Sequence, residues 1–331
     1  MSIKRIQQMT GFSYSTISRV LNGKAQEFRI SDKTRQAILK AAEALNYRPN
    51  ILARSLRLRR THTVGLIVPD IQNPFFGELA SRIEKLLREQ GYSTILCNTN
   101  EIPENEEFYL KVLVDRQVDG IIIAPIHTKE WDAMEEIRRE RSIVLIDRIF
   151  YETDIPWVTS ANERAAEELM NGLIGIGFSR IAYLGGTAET YINTMRFAGY
   201  RRALAGRGLP VDNKIVLFEG YSPEAGERMM ESLLQREPDT RAVLCVNNLV
   251  FIGAMKVVQK HEIETEKPIM MAAFDIDRYC EIFKRPLLCA RQDQEKLAAS
   301  AVALLMKGIQ NTIGPDRHLV VPMSIGRHRI R

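Results

Sequence analysis

Two sets of side chains in this 331-residue chain have the types and spacing to do chemistry. The first lies in Tyr14-Ser15-Thr16-Ile17-Ser18-Arg19-Val20-Leu21, where Ile17, Val20 and Leu21 recur at i, i+3 and i+4. That spacing predicts a short helix with one apolar stripe, leaving Tyr14, Ser15, Ser18 and Arg19 outward. A guanidinium so placed can make two in-plane bonds to a guanine edge, and tyrosine or serine hydroxyls can reach bases or phosphates. Ser13 is positioned to cap the helix, and Gly11 suits a turn that requires positive φ. A polar helix face is also what any solvated surface helix shows. The second set is polar residues at the ends of strand-like runs: Asn247 after Val243–Val246, and Asp275 after Ile269–Phe274.

Signatures of catalysis are missing from the sequence. No Gly-x-Gly-x-x-Gly follows a strand, and Gly185-Gly186 reads as a strand-end turn. There is no Walker loop and no Gly-x-Ser-x-Gly elbow. His62, His127, His261, His318 and His328 show no ligand spacing, and surface positions are expected for most of them. Paired acid–base carboxylates cannot be recognised without geometry. The expectation is a protein that is not an enzyme and carries no metal or cofactor.

The elements that would position these groups divide the chain in two. The first sixty residues hold thirteen Lys or Arg against three Asp or Glu, whereas the remainder carries a net charge of −5. A basic head on an acidic body fits a nucleic-acid-binding module joined to something that binds no nucleic acid. The head reads as helical: Ile3, Ile6 and Met9 form one stripe, and a third helix capped by Ser31 carries Ile38, Ala41, Ala42 and Leu45. Pro49 stops that helix, Asn50 can cap another, and Ile51–Arg60 is a short cationic segment that suits ordering only on docking. In the body, apolar runs (Val64–Val68, Thr94–Cys97, Gly120–Ala124, Ile143–Ile146, Arg180–Gly185, Val243–Val246, Ile269–Phe274) alternate with amphipathic stretches such as Glu78–Glu89 and Ala165–Leu173. This predicts parallel sheets covered on both faces, in two blocks near 61–160 and 163–289, with a tail at 292–331 returning to the first. Cys97, Cys245, Cys280 and Cys289 have no metal-ligand spacing, and three lie in strand-like runs, so reduced buried thiols are expected. No apolar run approaches the ~18 residues of a membrane span and no leader is visible, so a cytoplasmic location without membrane contact is expected.

The order of Ser-Thr-Ile-Ser-Arg-Val-Leu-Asn-Gly, Ser-Asp-Lys-Thr-Arg, Leu-Asn-Tyr-Arg-Pro-Asn and Ala-Arg-Ser-Leu resembles the lactose/galactose-repressor family of bacterial transcription regulators. The likeness continues through Val64-Gly65-Leu66-Ile67-Val68-Pro69-Asp70-Ile71-Gln72-Asn73-Pro74-Phe75-Phe76 and on to the C-terminus. It implies an all-α helix-turn-helix head at 1–49, a hinge helix or linker at 50–60, and an α/β core at 61–331. The core would be two doubly wound parallel-sheet subdomains of the periplasmic-binding-protein type, about 61–160 plus 292–320 and about 161–291 plus 321–331. Tyr14, Ser15 and Arg19 would read bases, with Ser13, Thr16, Ser18 and Asn22 beside them on the DNA. Asn50, Ala53, Arg54 and Leu56 would act from the hinge. Leu56 would be a wedge between base steps, unless it is an ordinary core leucine.

In the core, the resemblance assigns effector contacts to Arg196, Asp275 and Asn247, and pocket positions to Asn73, Phe76, Asp147, Tyr221 and Gln292. A structural ion pair is the alternative for Arg196 and Asp275, and core packing for Tyr221 and Phe76. Two positions depart from the family pattern: Ala161-Asn162 stands where Asp-Asn is frequent, and Asn247-Asn248 where Asn-Asp is common. Both remove a negative charge, which favours an anionic effector such as a sugar phosphate. The Lys24–Arg29 loop, similar to the fructose-repressor branch, points the same way. The implied function is a homodimeric regulator of the repressor type, bound to a near-palindromic operator and controlled by a sugar or sugar phosphate in the core cleft. No leucine heptad follows Ile309, so a dimer without a tetramerisation helix is expected. A periplasmic sugar-binding protein is the second reading and a sugar-modifying enzyme the third.

Overall fold

The computed structural model describes residues 3–21, 23–45, 60–265, 268–276 and 286–328. Asn22, Asn50, Ala53, Arg54 and Leu56, and with them the expected hinge, lie outside the described residues, as does Cys280. The chain divides into two compact units, Met1–Thr61 and His62–Arg331.

The first unit contains α1 (Ile3–Thr10), α2 (Tyr14–Leu21) and α3 (Asp32–Ala44). Its small core is Ile6, Ile17, Val20, Ala25, Ile38, Ala41 and Ala42. Gly11 takes φ +71° in the α1–α2 turn, a backbone conformation costly for any residue with a Cβ. Ser13 Oγ accepts the Thr16 N–H at 3.2 Å, and Ser31 Oγ accepts that of Thr34 at 3.2 Å, so both expected caps form. Two expectations fail. Met9 is 61% exposed, because each i+3 step falls 60° short of a full turn and two steps carry it off the buried face. Ser18 is buried rather than outward, because the buried face of α2 is wider than an i, i+3, i+4 stripe and takes in the residue next to Ile17.

The second unit runs β1 (Thr63–Val68), α4 (Pro74–Glu89), β2 (Ser93–Asn98), α5 (Pro103–Asp115), β3 (Gly120–Ile123), α6 (Asp132–Glu140), β4 (Ser142–Ile146), β5 (Trp157–Ser160) and α7 (Asn162–Ile176). It continues with β6 (Ala182–Gly185), α8 (Tyr191–Ala205), β7 (Val216–Phe218), α9 (Pro223–Arg236), β8 (Ala242–Cys245), α10 (Asn248–Thr265), β9 (Met270–Phe274) and β10 (Leu287–Arg291). The final elements are α11 (Gln294–Ile309), β11 (His318–Val321) and β12 (Ser324–His328). The strands form two six-stranded sheets, ordered β11-β5-β4-β3-β1-β2 and β12-β10-β9-β8-β6-β7. Described pairings are parallel except β12 on β10. The tail therefore divides: α11 and β11 complete the first sheet, and β12 edges the second.

Burial on both faces explains the continuous apolar strands. In the first sheet Leu66, Ile122, Val144 and Ile146 pack with Ile83 and Leu87 of α4 and with Leu297, Ala301 and Leu305 of α11. Ile67, Ile121, Ile123 and Leu145 face the other way, toward Leu110, Leu113 and Met134. The strands β5, β7, β11 and β12 lie outside the apolar runs expected as strands: they are about as long as β3, β6 and β8 but carry polar or partly exposed residues, so no continuous apolar run marks them. Cys97, Cys245 and Cys289 are buried free thiols. In the second layer α9 and α10 interlock through Gly226 and Gly253: a Cβ at Gly226 would strike Val250 O, and one at Gly253 would strike Pro223 O. That close crossing sets the N-termini of both helices beside the cleft.

Candidate functional site

The C-terminal ends of both parallel sheets open onto one cavity of about 890 Å³. Its walls come from the segments just past β1 (Asp70, Asn73), β2 (Glu101), β3 (Ile126, Thr128) and β4 (Asp147, Arg148) in one sheet. The other sheet supplies Thr187 and Thr190 after β6, Tyr221 after β7, Asn247 and Asn248 after β8, Asp275 after β9, and Gln292 after β10. This is where an α/β sheet holds ligands, because each strand end releases a loop and each following helix offers its N-terminus. All eight residues the resemblance assigned to an effector site (Asn73, Phe76, Asp147, Arg196, Tyr221, Asn247, Asp275 and Gln292) line this cavity.

Arg196, on α8, is 2% exposed. It donates from Nε to Asn162 Oδ1 at 2.8 Å and from Nη1 to Val246 O at 2.5 Å, and its guanidinium lies 3.7 Å from the Phe274 ring centroid. Among the described residues these partners are neutral, so it is not one half of a contact ion pair. Burial lowers its pKa from the usual arginine value, against the opposing pull of Asp275 and Asp147.

Asp147 and Asp275 are structural counterparts. Each directly follows a strand, adopts a left-handed backbone (φ +63° and +55°), and donates its N–H to the neighbouring strand, at Val158 O and Ala290 O. Their side chains differ. Asp275 accepts Gln292 N–H at 2.9 Å and Gln292 Nε2 at 2.8 Å. Asp147 Oδ1 is buried without a hydrogen-bond partner among the described residues, and burial pushes its carboxyl up to about 6, against the opposing charges of Arg196 and Arg148.

A polar chain joins the two sheets through the crossover segments. Gln292 Oε1 accepts from Ser160 Oγ at 2.7 Å, Asn162 Nδ2 donates to Ser160 O at 3.0 Å, and Asn162 Oδ1 receives Arg196. Asn248 Nδ2 donates to Asn73 Oδ1 at 3.0 Å across the cleft, while that same oxygen caps α4 at Phe75 N. Both departures from the family pattern thus have visible consequences. Asn248 supplies a donor that a carboxylate would lack, and Ala161 leaves the N-terminus of α7 without a side-chain cap.

Tyr221 bonds Thr190 Oγ1 through its hydroxyl and lies under Arg148, whose guanidinium is 4.9 Å from the ring centroid. Phe76 is both a buried core residue and a wall of the cavity. Asn247 caps α10 through Val250 N at 2.8 Å. Sequence reasoning missed Arg148, Glu101 and Thr190. Arg148 is buried and makes a bidentate pair with Glu101 at 2.7 and 2.5 Å, and its only signal was a charge directly after Asp147 at a strand end. Burial pulls its pKa down, but Glu101 outweighs this and keeps it charged.

The expected preference for an anion is not supported by the lining. Among the described residues, Asp70, Glu101, Asp147, Glu189, Glu219, Glu224 and Asp275 stand against Arg148, Arg196 and Arg228. Arg148 is neutralised by Glu101 and Arg228 by Glu219. Losing two carboxylates relative to the family pattern left a wall still rich in them. No group of three or more metal-ligating side chains occurs among the described residues, and no helix there is long and apolar enough to cross a membrane.

In the first unit Ser13, Tyr14, Ser15 and Arg19 are exposed and Thr16 is half-buried. The Ser13 hydroxyl is engaged with Thr16 N and lies 2.9 Å from both Ser15 Oγ and Thr16 Oγ1. Tyr14 and Arg19 therefore carry the long outward side chains of α2.

A basic unit whose described residues form three helices and a two-sheet unit with a cleft at the strand ends define a ligand-responsive DNA-binding protein. Comparison with known proteins agrees. Residues 2–50 match the profile of "Bacterial regulatory proteins, lacI family", and residues 61–310 that of "Periplasmic binding proteins and sugar binding domain of LacI family". The chain is 32% identical to Catabolite control protein A of Priestia megaterium over 92% of both chains. It is 31% identical to the HTH-type transcriptional regulator DegA of Bacillus subtilis, over 90% of this chain and 88% of that one. A crystal structure of the lac repressor dimer bound to operator and the anti-inducer ONPF superposes with a TM-score of 0.85 at 21% identity, over 100% of this chain and 99% of that one. The protein belongs to the LacI family: it is a bacterial DNA-binding transcriptional regulator with the family's sugar-binding domain.

Proposed function

We propose that this protein is a homodimeric, cytoplasmic repressor that binds a near-palindromic operator and changes its grip when a neutral, hydroxyl-rich ligand of the sugar class occupies the cleft. The observation that carries the reading is the convergence of Arg196, Asp147, Asp275, Asn247 and Gln292 on one cavity at the strand ends. A guanidinium, two carboxylates and two amides can bind several hydroxyls by charge-assisted bonds, and Phe76 and Tyr221 offer apolar faces to a sugar ring. The carboxylate-rich lining supports a neutral ligand over a phosphorylated one. The chain Arg196–Asn162–Ser160–Gln292–Asp275 supports control, because it ties cavity groups to the crossovers that join the two sheets.

In the head, Ser13, Tyr14, Ser15, Thr16, Ser18, Arg19 and Asn22 are assigned to the operator, although buried Ser18 acts through packing. Asn50, Ala53, Arg54 and Leu56 are assigned to the hinge. The two doubly wound subdomains, about 61–160 plus 292–320 and about 161–291 plus 321–331, would reorient about the crossovers and move the hinge. By linkage, a ligand that weakens operator binding must itself bind the operator complex less tightly.

Selection from a random duplex library, followed by titration at several salt concentrations, tests the operator reading. Sequence-selective, salt-sensitive binding is expected, and its absence overturns the regulator. A thermal-shift screen of neutral sugars against their phosphates tests the ligand class, since a bound ligand raises apparent stability. Stronger stabilisation by a phosphosugar rejects the neutral-ligand reading.

A further inference from the structure

The loop that follows α2 contains an exposed aromatic ring in contact with the arginine assigned to base reading. The Arg19 guanidinium carbon lies 3.9 Å from the Phe28 ring centroid. Phe28 is 41% exposed, so its ring is open to solvent as well as to Arg19. Its backbone is fixed from several directions. Lys24 N–H donates to Arg19 O at 2.9 Å, closing the loop onto the last turn of α2. Phe28 N–H donates to Lys24 O at 3.2 Å and Ile30 N–H to Ala25 O at 2.8 Å, and Ala25 is buried in the core of the head. The loop is a compact, anchored turn and Phe28 stands at a set place on it.

The loop's acidic residue does not compete for the arginine: Glu27 pairs with Lys24 at 3.4 Å. Among the described residues no carboxylate lies within ion-pair distance of Arg19. An aromatic ring covers one face of a guanidinium plane and leaves the in-plane N–H donors open, whereas a carboxylate would occupy those donors. Arginine otherwise loses up to ~2 kcal/mol of side-chain freedom when it docks, and stacking in the free protein removes part of that loss beforehand.

We propose that Phe28 is a positioning residue for operator recognition: it holds the Arg19 guanidinium by its face and so sharpens the preference for guanine at the base that Arg19 reads. The proposal rests on the regulator reading above. It assigns the Lys24–Ile30 loop a part in DNA specificity without requiring a base contact from Phe28.

The test uses the full-length protein, the best duplex selected by the wild type from a random library, and single-base variants of that duplex. Phe28→Ala is expected to weaken binding to the selected duplex about three- to fivefold, the size of an exposed cation–π contact. It should relax preference at the same base pair that Arg19→Ala relaxes, and it should add nothing in the Arg19→Ala background. Phe28→Tyr keeps the ring and should bind as the wild type does. Phe28→Leu keeps apolar bulk without a π face and should behave like Phe28→Ala, at unchanged thermal stability. Wild-type affinity for Phe28→Leu, tighter binding by Phe28→Ala, or an additive loss spread evenly over all base pairs would each overturn the proposal. A wild type that selects no sequence defeats the regulator reading itself, a result distinct from all of these.

Discussion

The head and the core place their candidate functional side chains on opposite sides of their surfaces. In the first unit a small apolar core carries the helices, and the side chains proposed to read the operator, Tyr14 and Arg19, project from its exterior. In the second unit the side chains proposed to bind the ligand are among its most buried polar groups: Arg196 at 2% exposed, and Asp147 and Gln292 at 4%. On that proposal, operator contacts should be removable from the head without disturbing its fold. In the core, the groups proposed to bind the ligand also make bonds that hold the fold.

Arg196→Ala should show the largest effect. It leaves Asn162 Oδ1 and Val246 O without their donor and opens a void beside Phe274. A loss of about 2–4 kcal/mol in core stability, read by calorimetry, is expected together with loss of ligand-induced stabilisation. Unchanged stability would show that the core, too, keeps function apart from folding.

Asp147→Asn probes the same coupling with the opposite sign. Burial raises the Asp147 carboxyl to about 6, so the folded protein takes up a proton that the unfolded chain, near its ordinary value, does not. The burden on folding is absent below the unfolded pKa and grows as pH rises to about 6. The variant should accordingly be more stable at pH 7.5, by up to about 3 kcal/mol, with the gain fading toward pH 4. A destabilised variant at pH 7.5 would mean that the carboxylate has partners in solution.

Tyr14→Ala should do the reverse of Arg196→Ala. Because Tyr14 is 55% exposed, stability should stay within about 0.5 kcal/mol, while affinity for the selected duplex falls about tenfold. Equal affinity would remove Tyr14 from the reading face.

The smallest effect is expected at His127. Its Nδ1 lies 2.7 Å from buried Glu106 Oε1, and Glu106 also accepts the Ile126 N–H at 2.7 Å. The bond to Glu106 raises the histidine pKa against the lowering effect of burial, and Glu107 and Glu104 add to the rise. This stabilisation is complete below the unfolded histidine pKa and is lost as pH rises through the folded value. His127→Gln should flatten the decline in stability around neutral pH; an unchanged profile would discount the pair.

How legible each region was follows from the same division. The stripe at Ile17, Val20 and Leu21 and the caps at Ser13 and Ser31 could be read directly, because helix start signals and periodicity are local. Ser18 was misread because the width of a buried face depends on the helices packed against it. In the core, the buried strands were plain as continuous apolar runs, while β7, β11 and β12 were not, since these edge strands carry polar or partly exposed residues and are defined by the partners they pair with. The eight residues taken from the motif resemblance all line the cavity, but the resemblance did not mark the bidentate Arg148–Glu101 pair, whose members are forty-seven positions apart.

By itself the sequence determined the charge division of head and body, the helix pattern of the head, the α/β character of the core and the identity of the family. Each of these is written in side-chain type and short-range spacing. Only the tertiary structure decided which polar groups are satisfied by one another and which face the cavity. It showed that Arg196 is engaged by neutral partners, that Asp147 and Asp275 occupy equivalent places with unequal partners, and that the cleft wall is rich in carboxylates despite the two lost relative to the family pattern. Hydrogen bonding, burial and electrostatics act through space, and distance in space is what folding sets.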